Sequence, residues 1–184
     1  MEVYLIAAMT LDGYIGRSAT DRSFDWTTPE DKAAYIAKIK TTKHLVMGHT
    51  TLKTIKRFPQ GTICHVYTRQ PDQFDAAGLS QAAEYQPTTE SPEVLVARLK
   101  TQGVAQLAIC GGSSIYNQFL AAGVVTKLYL TIEPILFGGG VRLFSTLPAS
   151  CELKLLTSQT LNSRGSLWLE YAVSHKNSPH ANKT

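Results

Sequence analysis

The sequence predicts an α/β fold with a mostly parallel sheet and an antiparallel hairpin at its C-terminal edge. Three observations carry this. Strand-length apolar runs alternate with helical segments until about residue 136. Beyond that point strands follow strands. The first run, Val3–Ala8, is apolar throughout, as a strand covered on both faces must be. The 184 residues and 20.1 kDa suit one domain, expected over 1–174. A polar tail over 175–184 is expected to be disordered. With 43% hydrophobic and 17% charged residues and a mean hydropathy of −0.08, the chain is neither a fibrous repeat nor intrinsically unfolded.

After the first strand, Thr10-Leu-Asp-Gly-Tyr-Ile-Gly16 is punctuated by glycine, and 17–27 is polar and aperiodic, hence a loop. Thr28-Pro29-Glu30-Asp31 starts a helix running to about Lys40. Thr28 is its N-cap, Pro29 sits at N1 and Asp31 at N3, with Tyr35, Ile36 and Ile39 on one face. Leu45–Gly48 reads as a strand, and His49-Thr50-Thr51 opens a helix carrying Leu52 and Ile55. Thr62–Thr68 is a strand, and the turn-rich stretch after it holds a short strand near Glu84-Tyr85. Ser91 caps a helix that begins at Pro92 and ends at Gly103. Gln106–Cys110 is a strand, Gly111-Gly112 a break, and Ser113–Ala122 a helix closed by Gly123. Lys127–Leu136 is a long strand interrupted by Pro134, followed by a turn at 138–140. Glu152–Thr160 and Ser166–Ser174 form the hairpin, joined at Asn162–Gly165.

Charge and cysteine usage exclude several functions. The 18 basic and 14 acidic residues give +4, but Lys176 and Lys183 lie in the tail and the rest is scattered. No nucleic-acid surface is expected. Cys64, Cys110 and Cys151 are odd in number and far apart, so neither a disulfide framework nor a zinc site is indicated. His44, His49, His65, His175 and His180 lack metal-ligand spacing, and no metal is expected. The acidic start is no signal peptide, and no apolar run reaches the roughly 20 residues that span a bilayer. A reducing cytoplasm and no membrane partner are the expectation.

Two strand-glycine-helix junctions carry the chemistry: Val46-Met-Gly48-His-Thr-Thr51 and Ile109-Cys-Gly111-Gly-Ser-Ser-Ile115. Free N–H groups at a helix start suit phosphate, and glycine lets phosphate approach the backbone. Either junction alone is an ordinary turn; together they match the two-phosphate span of a dinucleotide. Arg69, just past a strand end, reads either as a surface arginine or as a ligand of a 2′-phosphate. Asp31 reads as a first-turn acid that complements the helix dipole. It also reads as a cleft carboxylate that positions a nitrogen heterocycle or delivers a proton.

In order along the chain, these motifs resemble those of the dihydrofolate reductase superfamily. The segments are Leu5–Gly16, Trp26–Asp31, Val46–Thr51, Ile109–Tyr116 and Lys127–Thr131. Ile132-Glu-Pro-Ile-Leu-Phe-Gly-Gly-Gly140 with Leu143-Phe144 is similar to one branch: the reductase domain of the bifunctional riboflavin-biosynthesis deaminase-reductase and its small free-standing relatives. The resemblance implies a three-layer α/β/α fold and hydride transfer from NADPH to a pterin- or aminopyrimidine-type heterocycle. It implies that Ala8 and Ile15 line the nicotinamide. Gly48, His49, Thr50 and Thr51, with Gly111, Gly112, Ser113, Ser114, Ile115 and Tyr116, would cradle the phosphates. Thr68 and Arg69 would face the 2′-phosphate. Asp31 would be the catalytic carboxylate, and Ile6, Ala7, Trp26, Tyr35, Ile55 and Thr131 would shape the substrate site. A homodimer is expected through the C-terminal strands. His49 and Ser114 replace basic residues common in the folate enzymes. The Asp-x-Pro-x-Leu-Thr-x-Arg stretch that helps the riboflavin enzyme hold its ribose phosphate is missing from Thr51–Phe58. The alternative is a non-catalytic nucleotide-binding module on the same fold.

Overall fold

Side chains of a strand alternate between the two faces of its sheet, and the first strand, β1 (Glu2–Thr10), divides the core accordingly. Val3, Leu5 and Ala7 point into one buried cluster, and Tyr4 and Ile6 into another. The computed structural model describes residues 1–145, 147 and 151–175. In it β1 lies inside an eight-stranded sheet of order β5-β4-β3-β6-β1-β7-β10-β9. These strands are β3 (His44–Gly48), β4 (Thr62–Tyr67), β5 (Ala83–Thr88), β6 (Gln106–Ile109), β7 (Lys127–Glu133), β9 (Cys151–Thr160) and β10 (Leu167–His175). Pairing is parallel from β5 to β7 and antiparallel from β7 through β10 to β9, as expected. The chain's two crossing directions place helices on both faces. Helices α3 (Pro92–Thr101) and α4 (Ser113–Ala121) cover the Val3–Leu5 face through Leu95, Leu99, Ile115 and Phe119. Helices α1 (Pro29–Lys40) and α2 (His49–Leu52) cover the Tyr4–Ile6 face through Ile39 and Leu52.

Helix starts follow their local chemistry. The Thr28 hydroxyl accepts from the Asp31 amide at 3.4 Å, and Ser91 does the same for Val94 at 3.4 Å. Other expectations are corrected. Helix α2 is a single turn and Ile55 lies beyond it. Its segment is rich in β-branched residues, and the Thr54 hydroxyl caps the Thr51 carbonyl at 2.7 Å, so the backbone closes into turns. Ile36 is 40% exposed, because the i,i+4 pair Tyr35 and Ile39 is what faces the sheet. Strand β7 stops at Glu133, since Pro134 has no N–H for the ladder, and Leu136 is solvent-facing.

A small second sheet was not foreseen. Strand β2 (Tyr14–Gly16) pairs with β8 (Val141–Arg142). Gly140 has φ +131°, and a Cβ there would collide with the Gly16 carbonyl. The Asp12 carboxylate accepts from the Phe137 and Gly138 amides at 3.1 and 2.8 Å, fixing the turn before it. His175, assigned to the tail, closes β10, and its Nε2 lies 2.8 Å from the Val125 carbonyl. The remainder of that tail, 176–184, lies outside the described residues.

Candidate active site

Parallel strands end at one edge of a sheet, and ligands of open α/β folds bind there. The C-terminal ends of β4, β3, β6, β1 and β7, with Trp168 of β10, open onto one cleft of about 1020 Å³. A cleft for one small molecule spans roughly 300–1,000 Å³, so this one stands at the top of that range, long enough to run from the end of β4 to Trp168 on β10.

One part of the cleft is glycine backbone. The Gly48 amide donates to the Gly111 carbonyl at 2.8 Å, and the Cys110 amide to Val46 at 2.9 Å, which joins the two junctions. Gly111 has φ +112° and leads through a cis peptide into Gly112, the N-cap of α4. A Cβ on Gly112 would stand 2.9 Å from Thr51 Oγ1, and one on Gly111 would stand 3.0 Å from the Tyr116 hydroxyl. Side chains are excluded here, and the start of α4 faces open space. The Tyr116 hydroxyl donates to the Ile6 carbonyl at 2.8 Å and ties α4 to β1. Ser113 donates to the Arg142 carbonyl at 2.7 Å and ties it to β8. Thr68 and Arg69 line the cleft where β4 ends, and Arg69 has no carboxylate partner among the described residues.

Across β1 the character changes. Asp31 is 4% exposed, held at N3 of α1, and lines the cleft. Burial pushes its carboxyl above the ordinary range, and the Glu133 charge adds to that. The hydroxyls of Thr131 and Thr27 and the Lys32 charge pull the other way, though neither hydroxyl reaches ordinary hydrogen-bond geometry with any partner. Thr131 is fully buried, lines the cleft and keeps an unpartnered hydroxyl. Behind them Glu133 is 2% exposed. It accepts from the Thr28 amide and hydroxyl at 2.8 and 2.9 Å and from the Ser166 hydroxyl. Tyr35 and Cys110 face the same space. Burial raises both, Cys110 to about 12, so the thiol stays protonated and unreactive at neutral pH.

Of the residues singled out in sequence, Ile6, Ala7, Ala8, Ile15, Asp31, Tyr35, Gly48–Thr51, Ile55, Thr68, Arg69, Gly111–Tyr116 and Thr131 all line this cleft. Trp26 does not. It follows a 3-10 turn at Ser23–Asp25, and its ring packs edge-on against Phe137, with centroids 5.1 Å apart. Phe24 and Trp168 form the aromatic wall instead. Sequence reasoning missed Trp168, Asp21, Cys110 and Glu133. The long hairpin and the polar 17–27 loop carried no local signal of what they cover. Among the described residues, no three His, Cys, Asp or Glu side chains gather as a metal site, and no helix is long and apolar enough to cross a membrane.

The chain is 28% identical over 159 residues to the uncharacterized protein YwjB of Bacillus subtilis, covering 82% of this chain and 87% of that protein. Its fold is similar to that of a provisionally assigned riboflavin biosynthesis protein of Shewanella sp. PV-4, with TM-score 0.78 and 22% identity over 95% of this chain and all of that one. It is similar also to a pyrimidine reductase-like protein of Corynebacterium diphtheriae, with TM-score 0.75 and 18% identity over 95% and 92% of the two chains. A third likeness is to a diaminohydroxyphosphoribosylaminopyrimidine deaminase/5-amino-6-(5-phosphoribosylamino)uracil reductase of Thermotoga maritima, with TM-score 0.72 and 16% identity. It covers 93% of this chain and 56% of that one. The glycine cradle, the buried acid and the parallel strands β1 and β3 to β7 all lie within residues 2–166, the stretch that matches the RibD C-terminal domain model, and the chain belongs to that family.

Proposed function

We propose that the protein is an NADPH-dependent reductase that transfers a hydride to a planar nitrogen heterocycle of pterin or aminopyrimidine type. The supporting observation is the two-part cleft: glycine backbone at one end and a buried acid beside an unpartnered hydroxyl at the other. Such a cofactor fits the first part. Gly48–Thr51 and the start of α4 at Gly112–Ser114 would hold its phosphates, and Arg69 with Thr68 its 2′-phosphate. When bound it supplies the hydride and is left oxidised.

The chain's residues do the rest. Ala8 and Ile15 give an apolar wall, and Tyr35, Ile55 and Trp168 enclose a flat ring and exclude water. Thr131 offers its free hydroxyl to a ring substituent. A hydride added to the carbon of a C=N bond leaves the electron pair on nitrogen, which needs one proton. Asp31, raised by burial, keeps that proton at higher pH than an ordinary carboxyl and can give it up.

The test is titration of the pure protein with NADPH and NADH, then NADPH oxidation with dihydrofolate and with 5-amino-6-(5-phosphoribosylamino)uracil. Tight NADPH binding that weakens about tenfold or more in Arg69→Ala, with turnover of one heterocycle, is expected. No binding of either cofactor at millimolar concentration refutes the reading. Binding without turnover of any pterin or aminopyrimidine leaves a nucleotide-binding module. We also propose a homodimer. Strand β9 is an edge strand that exposes Leu153, Leu155 and Leu156, and pairing would cover them.

A further inference from the structure

We propose that Cys151 is a site of reversible thiolation, where it exchanges with a low-molecular-weight disulfide and His175 acts as the base. This stands apart from the reductase reading and from the cleft. Ala172 of β10 pairs with Lys127, the first residue of β7, and β10 runs on to His175, at the end of the sheet opposite the cleft. There His175 pairs directly with Cys151, the first residue of β9.

The register brings both side chains to one face of the hairpin, and a third group orients them. His175 Nε2 lies 2.8 Å from the Val125 carbonyl oxygen, and Nδ1 lies 3.8 Å from Cys151 Sγ. A carbonyl oxygen only accepts, so this partner assigns the ring proton to Nε2. The lone pair of Nδ1 is thereby turned on the thiol, which donates to it. A nucleophile, a base within reach and a group that orients the base are the parts of an activated thiol. The other two thiols are inert. Cys64 is fully buried and Cys110 is 7% exposed, and burial pushes both up, Cys110 to about 12. Of the three cysteines only Cys151 is partly exposed.

The exchange balances within the pair and the reagent. As Cys151 Sγ attacks one sulfur of the disulfide, Nδ1 takes the thiol proton. The new S–S bond joins Cys151 to half of the reagent, and the old S–S bond breaks. The other half leaves as a thiolate and takes the proton from His175. Cys151 is oxidised and the released half is reduced. Cys64 on β4 and Cys110 just past β6 lie strands away from β9, so neither sulfur can displace the attached group. The mixed disulfide stays until an outside thiol reverses the exchange.

The test treats the full chain with oxidised glutathione, native and unfolded in urea, and follows each cysteine by intact mass and peptide mapping. Native Cys151 is expected to take up one glutathione about tenfold or more faster than Cys151 of the unfolded chain, which has the thiol without its base. Cys64 and Cys110 should stay unmodified in the native protein, and dithiothreitol should release the adduct. His175→Gln keeps an N–H for the Val125 carbonyl and removes the lone pair beside the sulfur. Its Tm should hold while the exchange at Cys151 slows about tenfold or more. Native Cys151 reacting no faster than in the unfolded chain overturns the proposal. So does a folded His175→Gln protein that exchanges at the parent's rate.

Discussion

Glu133 is the residue whose removal should cost most outside the apolar core. It takes the Thr28 amide and hydroxyl and the Ser166 hydroxyl, so it joins the start of α1 and the hairpin arm to the end of β7. Glu133→Ala leaves three buried donors without an acceptor. Each such loss costs about 1–3 kcal/mol. The Thr28 and Ser166 hydroxyls can both rotate toward other acceptors, so the low end applies. The sum is roughly 3 kcal/mol, or about 6–12 °C in Tm for a chain of this size. Glu133→Gln keeps an acceptor toward Thr28 and presents an amide to the Ser166 oxygen, so its Tm should barely move. It does remove a negative charge beside Asp31. A carboxyl raised in the folded state binds its proton more tightly there than in the unfolded chain. The stability it contributes is complete at acid pH and is lost as pH rises from the ordinary carboxylate range through the folded-state value. Glu133→Gln should therefore lower the pH at which Asp31 titrates and lessen that loss. Thermal melts across pH, with carbon-13 NMR of the aspartate carboxyls, read both effects. A Glu133→Ala protein melting within about 2 °C of the parent refutes the reasoning. So does an Asp31 titration unmoved in Glu133→Gln.

Asp31→Asn should reduce kcat by about a hundredfold or more while leaving NADPH affinity intact. It should also raise Tm at neutral pH, because it removes a buried carboxyl that resists ionisation; steady-state kinetics, cofactor titration and melts check all three. In the parent, kcat/KM should fall as pH rises through the elevated Asp31 value, and the Asn variant should lose that limb. Gly112→Ala places a methyl 2.9 Å from Thr51 Oγ1 inside the cradle, so NADPH affinity read by calorimetry should drop about tenfold or more with the circular dichroism spectrum unchanged. Leu155→Lys on the exposed edge strand should convert a sedimenting dimer to monomer, and a parent that sediments as monomer at micromolar concentration removes the dimer proposal.

What the sequence made legible was whatever depends on near neighbours in the chain. The start of α1 follows from Thr28, Pro29 and Asp31 within four positions, and the observed cap uses those residues. The all-apolar Val3–Ala8 run reads as a strand buried on both faces because each face has its own helix layer. Both glycine junctions were visible, since only glycine tolerates a Cβ-free cradle and a φ of +112° at Gly111. The β2–β8 pair was not, because strands of three and two residues are too short to show a period. That Trp168 rather than Trp26 reaches the cleft was hidden for a different reason: it depends on β10 pairing with β7, a register no local pattern encodes.

Glu133 marks the limit most clearly. In sequence it is one acid between an isoleucine and a proline, at the end of a strand. Its meaning comes from donors 105 and 33 residues away, which meet it only once β7, β10 and α1 have assembled. The identity of the acid in the cleft was therefore readable from the helix that carries it, but the electrostatics that set its proton affinity were not. Cap and carboxylate are also coupled. The Thr28 hydroxyl that receives the Asp31 amide is itself held by Glu133, so the group that fixes where Asp31 sits also opposes its ionisation. A substitution at Glu133 that frees Thr28 should thus change both the position and the titration of Asp31. One that keeps the hydrogen bonds and drops the charge should change the titration alone. That difference between Ala and Gln at one position separates the structural share of the site from its electrostatic share.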